Sequence, residues 1–177
     1  MRKALGILGV VVVVAIAAIL IYASTKPDSF RVQRTVSMNA PSEKIFPYLN
    51  ELKRWREWSP YEARDPDMKR AYAGPESGKG AAYEWDGNKN VGKGRMEITE
   101  ATPSKVVIKL DFIKPFEGHN TAELTLQPKD GQTIVTWAMY GPSPFMTKLI
   151  GTFMDMDDMI GRDFAAGLTK LKTIVEK

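Results

Sequence analysis

Apolar and polar residues alternate with a period of two along most of this chain, between one apolar run at the start and a helical stripe at the end. From Phe30 to Met38, the residues Phe30, Val32, Val36 and Met38 share a face, which predicts a strand. Further segments repeat the pattern. Ala81 to Trp85 aligns Tyr83 with Trp85; Gly94 to Glu100 aligns Met96 with Ile98; Lys105 to Phe112 aligns Val106, Ile108, Leu110 and Phe112. His119 to Leu126 keeps Asn120, Ala122, Leu124 and Leu126 in phase, and Thr133 to Met139 keeps Val135, Trp137 and Met139. Each strand then turns one face to a core and one to water. The short links, Asp130-Gly131 above all, predict antiparallel neighbours.

Helical spacing takes over in two places. Pro41 fits a first helical position ahead of Ile45, Phe46 and Leu49, and Pro47 keeps that helix short or kinked. A second short helix around Glu51 to Glu57 ends near Ser59-Pro60, and Tyr61 to Met68 reads as loop. Near the end, Ser143 can cap and Pro144 can start a helix. Its stripe is Phe153, Met156, Ile160, Phe164, Leu168, Leu171 and Val175. An unbroken helix there would reach about 45 Å, too long for a domain of this size, so a break is predicted near Gly151. Gly161 and Gly167 each cost a helix about 1 kcal/mol relative to Ala. They either bring the backbone close to the sheet or leave room for something else.

The apolar run from Ala4 to Tyr22 carries no charge and as a helix spans about 28 Å, near the hydrocarbon thickness of a bilayer. Arg2 and Lys3 before it predict a cytoplasmic N-terminus and a domain on the outer side; Lys26, Arg31 and Arg34 weaken that bias. An uncleaved single-pass anchor is the reading. The alternative is a signal peptide ending near Ile21-Tyr22-Ala23, although signal cores are about 7–15 residues long. The layout becomes a basic flank 1–3, a transmembrane helix 4–22, a tether 23–29 and a domain 30–177.

Composition narrows the chemistry. The chain has 177 residues and a formal charge of +4. Arg2, Lys3 and Lys26 flank the apolar run, so the remaining basic residues nearly balance the 21 acidic ones and a nucleic-acid partner is not expected. With Cys 0 and His 1, disulfides, thiolate zinc sites and multi-His metal sites are excluded. No cofactor is expected. Residues 87–94, GNKNVGKG, approach a phosphate-binding loop, but Gly94 replaces the hydroxyl residue and a strand follows instead of a helix, so a hairpin is the better reading.

A strand, two small helices, a meander of strands and one long striped helix bury their apolar faces only if the meander curls around the helix. This order resembles the SRPBCC superfamily, in particular its polyketide cyclase/dehydrase-type and START-like members. The residues that carry the resemblance are VSMNAPSEKIFPYLNELKRWREWSP near the front and IGRDFAAGLTKLK at the end. The resemblance spans Phe30 to Ile174. It implies an α+β helix-grip fold: a curved antiparallel sheet of six or seven strands around the C-terminal helix, with a cavity between them for an apolar small molecule. Typical members lack a membrane segment, and here this chain departs from them.

The inward set by parity supplies the candidate ligand-binding residues: Tyr83, Trp85, Met96, Phe112, Asn120, Trp137 and Met139 from the strands, and Met156, Ile160 and Phe164 from the helix. Ile98, Leu110, Leu124 and Val135 share that face, and Met159 joins it from the helix. Trp58, beside Trp55 and Arg56, is placed near the cavity mouth by the resemblance; core or rim packing and a membrane-facing lip are the alternatives. Asn120 either orients a ligand or satisfies backbone groups. His119 is out of phase and reads as solvated, so no catalytic triad is assembled. Glu84 and Asp86 also face water, Asp86 serving the turn before Gly87, and Asp155, Asp157 and Asp158 read as a solvated helix face.

Three functions remain open. The leading one is a membrane-anchored protein enclosing a lipid, isoprenoid or polyketide-like molecule. A non-catalytic interaction or chaperone module for a membrane partner predicts a filled core instead. A cyclase, dehydratase or hydrolase needs an ionisable group inside, and parity offers only Tyr83.

Overall fold

The computed structural model describes residues 2–177, with side chains from residue 6 on, so the basic flank at 1–3 lies outside the described side chains. The first helix, α1, runs Arg2–Ser24. From Gly6 to Tyr22 it is apolar on all sides, and its side chains are exposed apart from the half-buried Ile19 until Ala23, which is fully buried. Gly6–Ser24 is long and apolar enough to cross a bilayer. Because α1 extends past Tyr22, the link to the domain shortens to 25–28, and β1 begins at Ser29.

After β1 (Ser29–Met38) come α2 (Ser42–Asn50), a 3-10 turn at Leu52–Arg54, α3 (Trp55–Trp58) and α4 (Pro60–Arg64). Six strands follow: β2 (Lys69–Ala73), β3 (Ala82–Asp86), β4 (Lys93–Thr102), β5 (Lys105–Lys114), β6 (Gly118–Lys129) and β7 (Gln132–Pro142). The chain closes with α5 (Phe145–Ile150) and α6 (Met156–Val175). One antiparallel sheet has the order β1-β7-β6-β5-β4-β3-β2, so β1 returns to pair with the last strand of the meander. The helix-grip fold and the seven strands agree with the expectation.

Four local readings are corrected. The stretch Tyr61 to Met68 is not all loop, because Pro60 opens α4, and β2 follows as an edge strand that alternation did not reveal. Pro41 and Pro144, expected at first helical positions, precede their helices at the cap positions, and Ser143 makes no cap. Glu51 lies ahead of the 3-10 turn, not in a helix. Phe153 leaves the helical stripe: it sits in the turn between α5 and α6 and is 70% exposed. The break near Gly151 is real, since α5 ends at Ile150 and Asp155 restarts the helix by accepting the backbone N–H of Asp158 at 3.0 Å.

Both glycines of α6 serve close approach. A Cβ on Gly167 would lie 3.0 Å from the Pro60 ring and from the Trp137 indole. A Cβ on Gly161 would overlap the Arg34 guanidinium, which crosses the helix to bond the Asp157 carboxylate at 2.9 Å. The acidic face is therefore accounted for: Asp155 caps, Asp157 holds Arg34, and Asp158 pairs with Arg162 at 2.7 Å.

The strands carry a burial gradient. Val106, Ile108, Leu124, Val135 and Ile98 are completely buried, yet Leu110, Phe112, Met96 and Asn120 on the same faces are only partly covered. Register explains this. Ser29, Pro142, Gly118, Lys114, Lys93, Asp86 and Lys69 all lie at one end of the sheet, away from Met38, Gln132 and Lys105. The far end is closed by α2 and the C-terminal half of α6, where Ile45, Leu49, Leu168, Leu171 and Val175 fill the space. The near end meets the start of α6 and the short helices α4 and α5, which leave a hollow.

Candidate functional site: an apolar cavity at one end of the sheet

That hollow is a cavity of about 640 Å³ between the near half of the sheet and α6, within the range of about 300–1,000 Å³ usual for small-molecule sites. Its wall is one row across the sheet, because Tyr83 pairs with Met96, Met96 with Leu110, and Leu110 with Asn120. A second row places Trp85 next to Gly94 and Phe112. Gly94 has no side chain to keep the Trp85 indole off the sheet, and the ring meets Phe112 edge-on at 5.9 Å. Trp137 and Met139 continue the wall on β7, and Met156, Ile160 and Phe164 face them from α6.

Ten of the eleven proposed ligand-site residues thus border one space. Trp58 is the exception. It is fully buried, packs on Trp55 and Trp137 and donates its indole N–H to the Tyr48 carbonyl at 3.0 Å. Trp55, one turn earlier, borders the cavity instead. Ile98, Leu124 and Val135 share the parity of the wall but belong to the solid half. The Asn120 amide is aimed at β7, where a Cβ on Gly141 would overlap its carbonyl oxygen.

A family model described as polyketide cyclase / dehydrase and lipid transport matches residues 29–176. The chain belongs to that family. Comparison with curated proteins gives no match. Among solved structures, this polyketide cyclase/dehydrase and lipid transport family member is similar to the di-domain ARO/CYC BexL from the BE-7585A biosynthetic pathway, at 12% identity and a TM-score of 0.65. That match covers 88% of this chain and 53% of BexL, so the chain spans about half of the di-domain protein. It is also similar to protein CV1439 from Chromobacterium violaceum, at 14% identity and a TM-score of 0.58, covering 86% of this chain and 99% of that one. The Aha1 dimer from Colwellia psychrerythraea matches at 17% identity and a TM-score of 0.57, over 83% of this chain and 96% of the other. At these identities the likeness is one of fold.

Sequence parity missed the charged part of this family member's cavity. Glu62, in α4, is buried at the wall. One of its oxygens accepts the Tyr83 hydroxyl at 2.7 Å, and the other accepts Arg70 from β2 at 2.8 Å. Arg70 also donates to the carbonyls of Met68 and Asp65, so one guanidinium ties α4 to β2. Burial first, and then the bond to Glu62, push the Tyr83 hydroxyl well above the usual tyrosine range. Burial works against the charge on Arg70, but the Glu62 bond and the Glu62 charge together outweigh it and strengthen the cation. A second pair, Arg64 with Asp163, borders the same wall. The signal for Glu62 was Pro60: a proline after Ser59 opens a helix as readily as it ends one.

The mouth is framed by the β3–β4 and β5–β6 hairpins and by α5. Residues 87–94 do form the end of a hairpin, 87–92 as the link and Lys93 and Gly94 as the start of β4, with Asn88, not Asp86, serving the turn: its side-chain Oδ1 accepts the Asn90 backbone N–H at 2.8 Å. Asp86 pairs with Lys93 at 2.9 Å. His119 is exposed, and its Nδ1 meets the Asp111 carboxylate across β5 and β6 at 2.7 Å. That bond raises the imidazole above its ordinary 6.5. For Asp111 burial acts upward, but the bonds from His119 and Lys109 prevail and hold it below 3.8.

The sign of the linkage follows from these directions. Because the folded His119 value is raised, its stabilisation is complete below 6.5 and is lost as pH climbs through the raised value. Because the Asp111 value is depressed, its share is present above 3.8 and is lost as pH falls through the lowered value. The expected outcome is a small decline in the thermal midpoint as pH climbs above 6.5 that disappears in His119→Gln. Calorimetry across that range checks it, and parallel curves for the two proteins would contradict the pairing.

Proposed function

We propose that the protein is a membrane-anchored holder of a hydrophobic small molecule, of lipid, isoprenoid or polyketide-like chemistry, enclosed between the sheet and α6. In this reading α1 is the anchor, residues 25–28 are the link, and residues 29–177 are the binding domain on the outer side, with Arg2 and Lys3 in the cytoplasm. The observation that carries it is the apolar cavity of about 640 Å³ in a domain whose other half is solid. The family's description, which includes lipid transport, supports the ligand class. A pure interaction module has no use for such a space. Catalysis finds support in two carboxylates at the wall, Glu62 and Asp163, but both Glu62 oxygens are already engaged by Tyr83 and Arg70, and Asp163 is paired with Arg64. Enclosure itself supplies the affinity, at about 25 cal/mol for each Å² of apolar surface removed from water.

The test uses the full chain in lipid nanodiscs and cis-parinaric acid, whose fluorescence is excited by transfer from Trp85 and Trp137 at the wall. Saturable transfer above empty-nanodisc controls is expected, and Met96→Trp, which fills the cavity from the sheet, should abolish it while the protein stays folded. Transfer that never saturates, or that survives in Met96→Trp, would overturn the reading.

A further inference from the structure

Large apolar side chains are exposed at only one end of the domain. Outside α1, those exposed among the described residues are Ile113 and Phe116 at the β5–β6 hairpin, and Phe145, Met146, Phe153, Met154 and Met159 around the corner between α5 and α6. All belong to the near end of the sheet, and Phe116, Met146 and Met159 border the cavity. Phe153 and Phe116 are 70% and 68% exposed. Burying them against the protein would have been favourable, so a set gathered at one end and left in the open marks a surface that meets something else.

The chain itself indicates what that is. The end of α1 is fixed to this corner. Ala23 is fully buried, and α1 packs against α5. The Lys26 ammonium donates to the carbonyl of Gly151 at the end of α5, and Lys148 of α5 pairs with Asp28. The backbone N–H of Ser143 donates to the Asp28 carbonyl at 2.7 Å. Packed helices lie about 8–10 Å apart, so α5 cannot be far from the point where the apolar segment ends. If Gly6–Ser24 fills the hydrocarbon layer, then α5 lies in the headgroup layer. The exposed corner is therefore held at lipid depth by covalent continuity.

We infer that the rim formed by the α5–α6 corner and the β5–β6 hairpin tip is seated in the phospholipid surface that α1 enters, so that the cavity mouth opens onto lipid and not onto bulk water. A ligand then passes between bilayer and cavity without crossing water, and the apolar rim side chains replace the hydration shell it would otherwise need. This rests on the proposed function in two separable parts: the seating of the rim on α1 as the membrane anchor, and the passage through the mouth on the binding role.

Two readouts separate these parts. The native chain has Cys 0, so single cysteines introduced as Phe153→Cys, Phe116→Cys or Lys129→Cys take one NBD label each. Lys129 ends β6 at the opposite pole, about 37 Å from Gly118. In full-length protein reconstituted into phosphatidylcholine/phosphatidylglycerol vesicles, labels at 153 and 116 are expected to shift to the blue and to be quenched by lipids spin-labelled near the headgroup, while the label at 129 stays water-like. Labels at 153 and 116 that behave like the one at 129 overturn the seating. In the second readout, Phe153→Ser with Met154→Ser should slow the entry of cis-parinaric acid from the vesicles about tenfold and leave the equilibrium amount bound unchanged. An unchanged rate overturns direct loading. If no variant and not even the wild type takes up the probe, the binding role fails, and the quenching pattern still decides where the rim lies.

Discussion

Replacing Trp137 with alanine is expected to destabilise the domain by about 3–5 kcal/mol, the range for truncating a buried aromatic residue. The indole is the partition between the solid and hollow halves. It stacks on Phe164 at 4.1 Å, meets the edges of Trp58 at 5.1 Å and Trp55 at 5.7 Å, and faces Tyr61 at 6.5 Å. Truncation merges the space of the side chain with the existing cavity, and the neighbours cannot collapse because α6 is held close at Gly167. A subtler contrast isolates the polar atom. The Trp137 Nε1 is buried without a partner, whereas the Trp58 Nε1 donates to Tyr48. An unpaired buried donor costs about 1–3 kcal/mol, so Trp137→Phe should be the milder change and Trp58→Phe the harsher one. Urea unfolding followed by circular dichroism checks both. A wild-type midpoint for Trp137→Ala, or the reverse order for the two phenylalanine variants, would refute the account.

The same partition explains which parts of the site were legible in the sequence. Alternation located the inner face of six strands correctly, because a side-chain period of two follows from backbone geometry alone. Alternation says nothing about position along the strand. Val135 and Met139 have the same parity on β7, but the first is packed by the end of α6 and the second borders the cavity. The distinction depends on where α6 starts, and that is fixed by Asp155, two residues beyond the exposed Phe153 that had been placed on the stripe. Trp58 shows the same limit on a smaller scale. Trp55 and Trp58 lie three residues apart and on one face, yet only Trp55 reaches the cavity. Short elements escaped altogether. In the five residues of β2 only Arg70 and Tyr72 turn inward, too few to announce a period. The charged wall of the cavity was hidden with it.

That wall yields the second large effect. Arg70→Met should cost about 3–5 kcal/mol, far more than a surface ion pair, because the Glu62 carboxylate stays behind in a site where its side chain is 7% exposed. The Tyr83 hydroxyl still donates to it, but a single neutral donor does not replace a guanidinium. The loss also unties α4 from β2, since the same guanidinium holds the carbonyls of Met68 and Asp65. If the buried charge is the main cost, removing it should restore most of the stability. Glu62→Gln added to Arg70→Met keeps an acceptor for Tyr83 and leaves no ion behind, so the double variant is expected to unfold at a higher urea concentration than Arg70→Met alone. Double variants lower than or equal to the single would mean that Arg70 acts through the backbone carbonyls and not through Glu62. The recovered double variant then has a further use. It carries the cavity with the Glu62–Arg70 pair neutralised, so probe binding measured in it reports whether an oily guest needs that charge at all.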